Sequence, residues 1–175
     1  LLAAVTLILS GWRNYRLHNP SAIQSDIPIE IYLNEPTGLD SLIEKMDSLS
    51  VSVDSEELRW AGKVLGWRNF RAGLYIIDGS YSFDELLSNM ARGIQSAASV
   101  TILPGSDPER IAVTLGNQLK ADAVEFSKIF SDSSDMAQEL NLSGEELFSR
   151  MLPNTYQIYW TSSPENAVER VYNEF

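Results

Sequence analysis

Helix-start signals recur along this chain at short intervals, and they limit what it can fold into. Asp54 precedes Glu57 by three residues, as Ser82 precedes Glu85, Asp122 precedes Glu125 and Ser143 precedes Glu146. At that spacing a short polar side chain and an acid can cap a helix reciprocally. Asp107-Pro108 and Ser163-Pro164 add two more starts, each with proline at the first helical position. Apolar faces follow these signals: Leu58, Ala61 and Leu65; Phe83, Leu86, Leu87 and Met90; Ile111, Leu115 and Leu119; Phe126, Ile129 and Phe130; Leu147 and Met151; Ala167, Val168, Val171, Tyr172 and Phe175. Leu39, Leu42, Ile43 and Met46 keep the same period after the turn residues Pro36 and Gly38.

Strand patterns are fewer. Ile29, Ile31 and Leu33 alternate with Glu30 and Tyr32, the period of a half-buried strand. Leu74 to Ile77 form a second after Gly73, and Val100 with Ile102 a third before a turn at Gly105. Short strands among many short helices give an α+β fold, with helices segregated against small sheets. Two stretches look alike. Displacing the first by 69 residues, so that Ile31 meets Val100, also sets Leu33 on Ile102, Leu42 on Ile111 and Met46 on Leu115. Internal duplication would produce this match, and so would any strand followed by an amphipathic helix.

Composition narrows the function. The 175 residues suffice for one medium domain or two small ones. A formal charge of −11 argues against a nucleic-acid partner, whose phosphates would be repelled. Cysteine is absent, which excludes disulfides and thiol catalysis. Leu1 to Leu9 form an uncharged apolar run, and Trp12, Arg13, Tyr15 and Arg16 follow it. A spanning helix needs roughly 20 apolar residues and often ends in such an aromatic belt, so the run is read as the end of a membrane-spanning segment. A buried N-terminal helix is the alternative. His18 to Pro28 is polar and turn-rich and reads as a linker.

Three segments, taken in order, resemble the YceG/MltG family of endolytic peptidoglycan transglycosylases. Gly73-Leu74-Tyr75 with Ser82 to Gly93 is similar to the family's G-x-Y…S…L…G module. Val100-Thr101-Ile102-Leu103-Pro104-Gly105, followed by Ile111-Ala112, is similar to its V-T-I-x-E-G…I-A segment. Leu152-Pro153-Asn154-Thr155-Tyr156 is similar to its F-P-D-T-Y box and is the most specific of the three; with Tyr159-Trp160 after it, it looks most like the Bacteroidetes branch. The organisation implied is the end of a membrane anchor at 1–16, a linker at 17–28, a small LysM-like strand-helix module at 29–97 and the N-terminal part of a YceG-like α+β catalytic domain at 98–175. The family resemblance also implies an inner-membrane, single-pass protein with its bulk in the periplasm.

The activity implied is non-hydrolytic cleavage of glycan strands between MurNAc and GlcNAc, leaving a 1,6-anhydro end, with no metal or other cofactor. One carboxyl group suffices. It protonates the glycosidic oxygen, then takes the proton from the sugar's own C6 hydroxyl as that oxygen attacks C1. Its pKa must be raised, which an apolar pocket would do. The family's glutamate precedes the box proline by five positions, and here that slot holds Phe148. The glycine after it is Ser149, the box aspartate is Asn154, and the glutamate of T-I-x-E-G is Pro104. The resemblance implies that a later family segment, carrying a further glutamate, lies beyond Phe175.

Glu146 is the nearest candidate for a displaced acid, and the same residue would complete the cap begun by Ser143. Glu145 reads as a first-turn charge favoured by the helix dipole. Asn154, Thr155, Tyr156, Gln157 and Trp160 are the candidate substrate-binding residues: amides and hydroxyls for sugar hydroxyls, aromatic planes for sugar rings. Asn and Thr after a proline could instead serve local turn chemistry. Tyr156 and Trp160, four apart in an extended segment, would share a face. Trp60 and Trp67 are assigned to the core, and His18, alone in a polar stretch, is not assigned to metal binding or catalysis.

Three functions stay open from sequence: a transglycosylase acting on nascent strands, a catalytically degenerate glycan-binding or scaffold protein on the same fold, and an assembly factor whose partners are cell-wall synthases rather than glycan.

Overall fold

A computed structural model of the chain describes residues 2–174; Leu1 of the apolar run and Phe175 of the last helical face lie outside the described residues. The fold is α+β and divides into two compact units, Leu1–Gln95 and Ser96–Phe175.

The first unit opens with helix α1 (Leu2–Leu17) and strand β1 (Ile23–Leu33). A two-residue strand β2 (Thr37–Gly38) leads to helices α2 (Leu39–Ser48) and α3 (Ser55–Leu65). Then come β3 (Asn69–Phe70), β4 (Gly73–Tyr81) and α4 (Phe83–Arg92). β1 and β4 pair antiparallel, with Ile31 opposite Tyr75, and β2 pairs with β3. Around this β-α-α-β arrangement Ile23, Ile31, Leu42, Met46, Leu58, Phe70, Ile77, Leu87 and Met90 are buried in one core.

The structure departs from the sequence reading at 17–28. Leu17 is buried, and β1 begins at Ile23, so most of the expected linker belongs to the unit. The strand was hidden because its register against β4 shifts between Ser25 and Ile29. Pro28 sits in that irregularity. Proline lacks the N–H a ladder needs and is tolerated in strands at bulges and edges, so it made the segment read as a turn.

Helix ends follow local chemistry. The Asp54 carboxylate accepts the N–H groups of Glu56 and Glu57 at 2.9 and 3.1 Å. Glu57 does not turn back to this cap; its carboxylate is engaged by Arg16. α4 stops at Gly93, whose φ of +76° is one that side-chain-bearing residues rarely adopt.

The second unit contains β5 (Ala97–Ile102), α5 (Pro108–Gln118), α6 (Ala123–Ile129), α7 (Asp135–Leu140), α8 (Gly144–Ser149), β6 (Asn154–Tyr159) and α9 (Pro164–Tyr172). β5 and β6 pair antiparallel, with Val100 opposite Tyr156. Asp122 with Glu125 and Ser143 with Glu146 each form the full reciprocal cap. α7 lacks the reciprocal-cap signature: its cap, Ser134, is followed three residues on by Ala137 rather than an acid or amide. α5 and α6 pack closely: a Cβ at Gly116 would stand 2.4 Å from the Ala123 nitrogen.

Each unit pairs an early strand with a later one across a helical stretch and then adds a helix, but two helices intervene in the first unit and four in the second. The positions matched at the 69-residue displacement are buried in each: Ile31 and Val100, Leu33 and Ile102, Leu42 and Ile111, Met46 and Leu115.

Candidate functional site

The box Leu152-Pro153-Asn154-Thr155-Tyr156 leads directly into β6, and the alternation of that strand sorts its side chains. Tyr156 and Ile158 point into the core, whereas Asn154, Thr155, Gln157 and Tyr159 are exposed. β5 alternates in phase, with Val100 and Ile102 buried and Ser99 and Thr101 exposed. The solvent face of the pair is therefore a row of cross-strand partners: Thr101 beside Thr155, Ser99 beside Gln157, Ala97 beside Tyr159. The Thr101 and Thr155 hydroxyl oxygens are 2.9 Å apart, and the Gln157 amide donates to the Ser99 hydroxyl at 2.9 Å. These bonds hold the row in a fixed pattern and leave further donor and acceptor capacity facing water.

Tyr159, 57% exposed, ends the row. Beside it a shallow cleft of about 450 Å³ is lined by Gln157, Tyr159, Ser162, Asn166 and Arg170 among others. An aromatic surface next to amides and hydroxyls is what a sugar ring with its equatorial hydroxyls requires.

Two of the candidate residues are placed elsewhere. Tyr156 is 2% exposed and its hydroxyl donates to the Leu152 carbonyl at 2.6 Å. Desolvation raises its pKa, an effect the Glu174 carboxylate adds to. Trp160 is 8% exposed, and its carbonyl accepts the Lys120 N–H at 2.9 Å. The two rings are buried, as core packing demands, so neither offers a face to a ligand. Ile158, at the intervening alternate position, carried the signal: it shares the side of Tyr156 and is apolar, which assigns that side to the core. Ser99 and Thr101 were missed; their alternation with Val100 and Ile102 would have found them. Asn154 is exposed but partly occupied locally, since its Oδ1 accepts the Thr155 N–H at 2.8 Å.

The acid slot is apolar. The Phe148 ring meets Phe130 edge to face, with centroids 6.3 Å apart and planes at 88°. Glu146 is exposed, and its Oε2 accepts the Ser143 N–H at 2.8 Å and the Ser143 hydroxyl at 3.0 Å. The backbone bond chiefly, and the hydroxyl bond with it, hold its carboxyl below the ordinary glutamate value. This is the reverse of what a proton donor near neutral pH needs. Glu145 is an exposed first-turn acid of α8. Among the described residues no group of three or more His, Asp or Glu side chains is placed to hold a metal ion.

In the first unit His18 has partners after all: its Nδ1 lies 3.0 Å from the Asn14 carbonyl and its Nε2 3.7 Å from the Asp84 carboxylate. Trp60 and Trp67 pack against the first core while only partly buried, and the Trp67 indole donates to Ser88 at 3.1 Å. Among the described residues no helix is long and apolar enough to cross a membrane; α1 has 16 residues.

No curated protein matches the chain. The crystal structure of a yceG-like protein from Listeria monocytogenes is similar at 17% identity and a TM-score of 0.43, over 85% of this chain and 53% of that one. This chain therefore spans about half the length of that protein. A sequence model of the YceG-like family matches residues 31–175, most of the chain, and the chain belongs to that family.

Proposed function

We propose that the protein acts on peptidoglycan glycan strands as a lytic transglycosylase, binding the strand along the exposed row of β5 and β6. The observation that carries this reading is the row itself. Thr101, Thr155, Ser99, Gln157 and Tyr159 form a polar, aromatic-ended surface on β5 and on β6, the strand that begins within the family box. The reaction needs a protonated carboxyl at the glycosidic oxygen, and in this reading neither Phe148 nor Glu146 supplies it. The chain's own residues hold and orient the strand, and the acid comes from another part of the protein.

A second reading, a glycan-binding protein without catalysis, is favoured by one observation: the acid slot is filled by Phe148 packed on Phe130. One experiment separates the two. The chain and the full-length protein are incubated with uncrosslinked glycan strands, and products are examined by mass spectrometry for 1,6-anhydro ends. Product from the full-length protein supports the transglycosylase, and its absence from both supports the binding protein. Product from the chain that vanishes in Glu146→Gln, with the fold intact, would overturn the assignment of Glu146 to the cap alone.

The proposal includes location: α1 is the end of an inner-membrane anchor, and the two units lie in the periplasm. Val5, Leu7, Ile8, Leu9, Trp12 and Tyr15 of α1 are all exposed, a run of apolar surface that water does not favour. Release of the full-length protein from membranes by carbonate wash without detergent would contradict it.

A further inference from the structure

α1 is joined to the first unit without a joint. The Arg16 guanidinium lies over the Trp60 ring, 3.8 Å from its centroid, and over the Trp12 ring at 4.5 Å. Its Nη2 donates to both Glu57 carboxylate oxygens at 2.6 Å, and its Nε to one of them at 3.2 Å. Stacking and a forked ion pair are the two things a guanidinium does better than an ammonium, and here one side chain does both. Leu17 follows and is buried in the core, and His18 follows that, beside Asp84 of α4. Three successive residues thus tie the end of the helix to α3, to the core and to α4. Upstream, Leu7 and Ile8 are 74% and 70% exposed.

We infer that the surface of the first unit around Glu57 and Trp60 is a contact surface for lipid headgroups, held there because α1 and this unit are one rigid body. The inference rests on the anchor reading of α1. Its geometry follows from helix rise. Trp12 and Tyr15 are the residues an interfacial belt would use, and Arg16 lies about 6 Å beyond Trp12 at roughly 1.5 Å per residue. The headgroup layer on each side of a bilayer is about 5–7 Å deep, so Arg16 and the groups clasping it fall within it. Arg13, exposed on the preceding turn, can meet lipid phosphate there. A flexible linker would let the unit drift from the surface, but residues 16–18 give it none.

The full-length protein, spin-labelled separately at Ser10 and at Glu56, is reconstituted in bilayers carrying a headgroup-chelated nickel lipid. Relaxation enhancement of the Glu56 label reads contact with the headgroups. Shielding of the Ser10 label from water-soluble reagent reads insertion of α1. We expect strong enhancement at Glu56, falling at least threefold in an Arg16→Ala/His18→Ala variant whose circular dichroism is unchanged and whose Ser10 label stays shielded. No enhancement at Glu56 in the wild type with Ser10 shielded would overturn the inference, and so would equal enhancement in the variant. A Ser10 label that is not shielded would contradict the anchor reading instead, and the inference with it.

Discussion

Ser143 and Glu146 satisfy each other at the start of α8: the Ser143 hydroxyl accepts the Glu146 N–H at 3.2 Å while the Glu146 carboxylate accepts the Ser143 N–H at 2.8 Å. The bond stabilises the ionised carboxylate, so the group's pKa is lower folded than unfolded. By linkage, its contribution to stability is fully present above the unfolded glutamate value of about 4.3, and is lost as pH falls through the depressed folded value. Melting curves of the wild type and Glu146→Gln, compared from neutral pH into acid, should show a small deficit in the variant at neutral pH. That deficit should disappear in acid. A variant equal to the wild type throughout would mean the carboxylate adds nothing to the cap.

Trp160→Ala should be costly. Its ring is almost wholly buried, and removing a buried aromatic side chain typically costs about 3–5 kcal/mol. Denaturant unfolding measures it. A loss of less than about 1 kcal/mol would return Trp160 to the candidate ligand surface, the place its sequence position first suggested.

Tyr156→Phe is a milder test of the same assignment. It keeps the ring and deletes the hydroxyl that donates to the Leu152 carbonyl. Losing that bond should lower stability by about 1 kcal/mol or somewhat more, because the carbonyl is left with one partner fewer. Glycan affinity per folded molecule should not change.

Tyr159→Ala should do the opposite. Its ring is mostly exposed, so the melting temperature should hardly move. An aromatic contact worth about 1 kcal/mol would weaken glycan binding about fivefold. Titration calorimetry with a soluble uncrosslinked glycan fragment reads the difference.

Much of this was legible in the sequence where local chemistry decides. The reciprocal caps at Asp122 and Ser143, the proline starts at 108 and 164, and the glycine stop at 93 need only neighbours a few residues away. β1 was half legible: Ile29 to Leu33 alternate plainly, but the stretch from Ile23 to Pro28 pairs with β4 across an irregularity that only the partner strand explains. Glu57 looked like a cap residue until Arg16, 41 positions away, took its carboxylate. The site was legible as a segment and not as a face. Aromatic side chains at 156, 159 and 160 suit core and ligand equally; the pairing of β5 with β6 sorts 156 from 159, and Trp160, just past the strand, is buried by tertiary packing.

The central claim is that glycan binds along the exposed row of β5 and β6, and one titration tests it most directly. Uncrosslinked glycan strands are added to the isotope-labelled chain, and backbone amide shifts are followed by NMR. The account predicts shifts concentrated at Ser99, Thr101, Thr155, Gln157 and Tyr159, with the amides around Glu146 and Phe148 undisturbed. Binding that leaves this row unmoved and shifts α8 instead, or no binding at all, would contradict it.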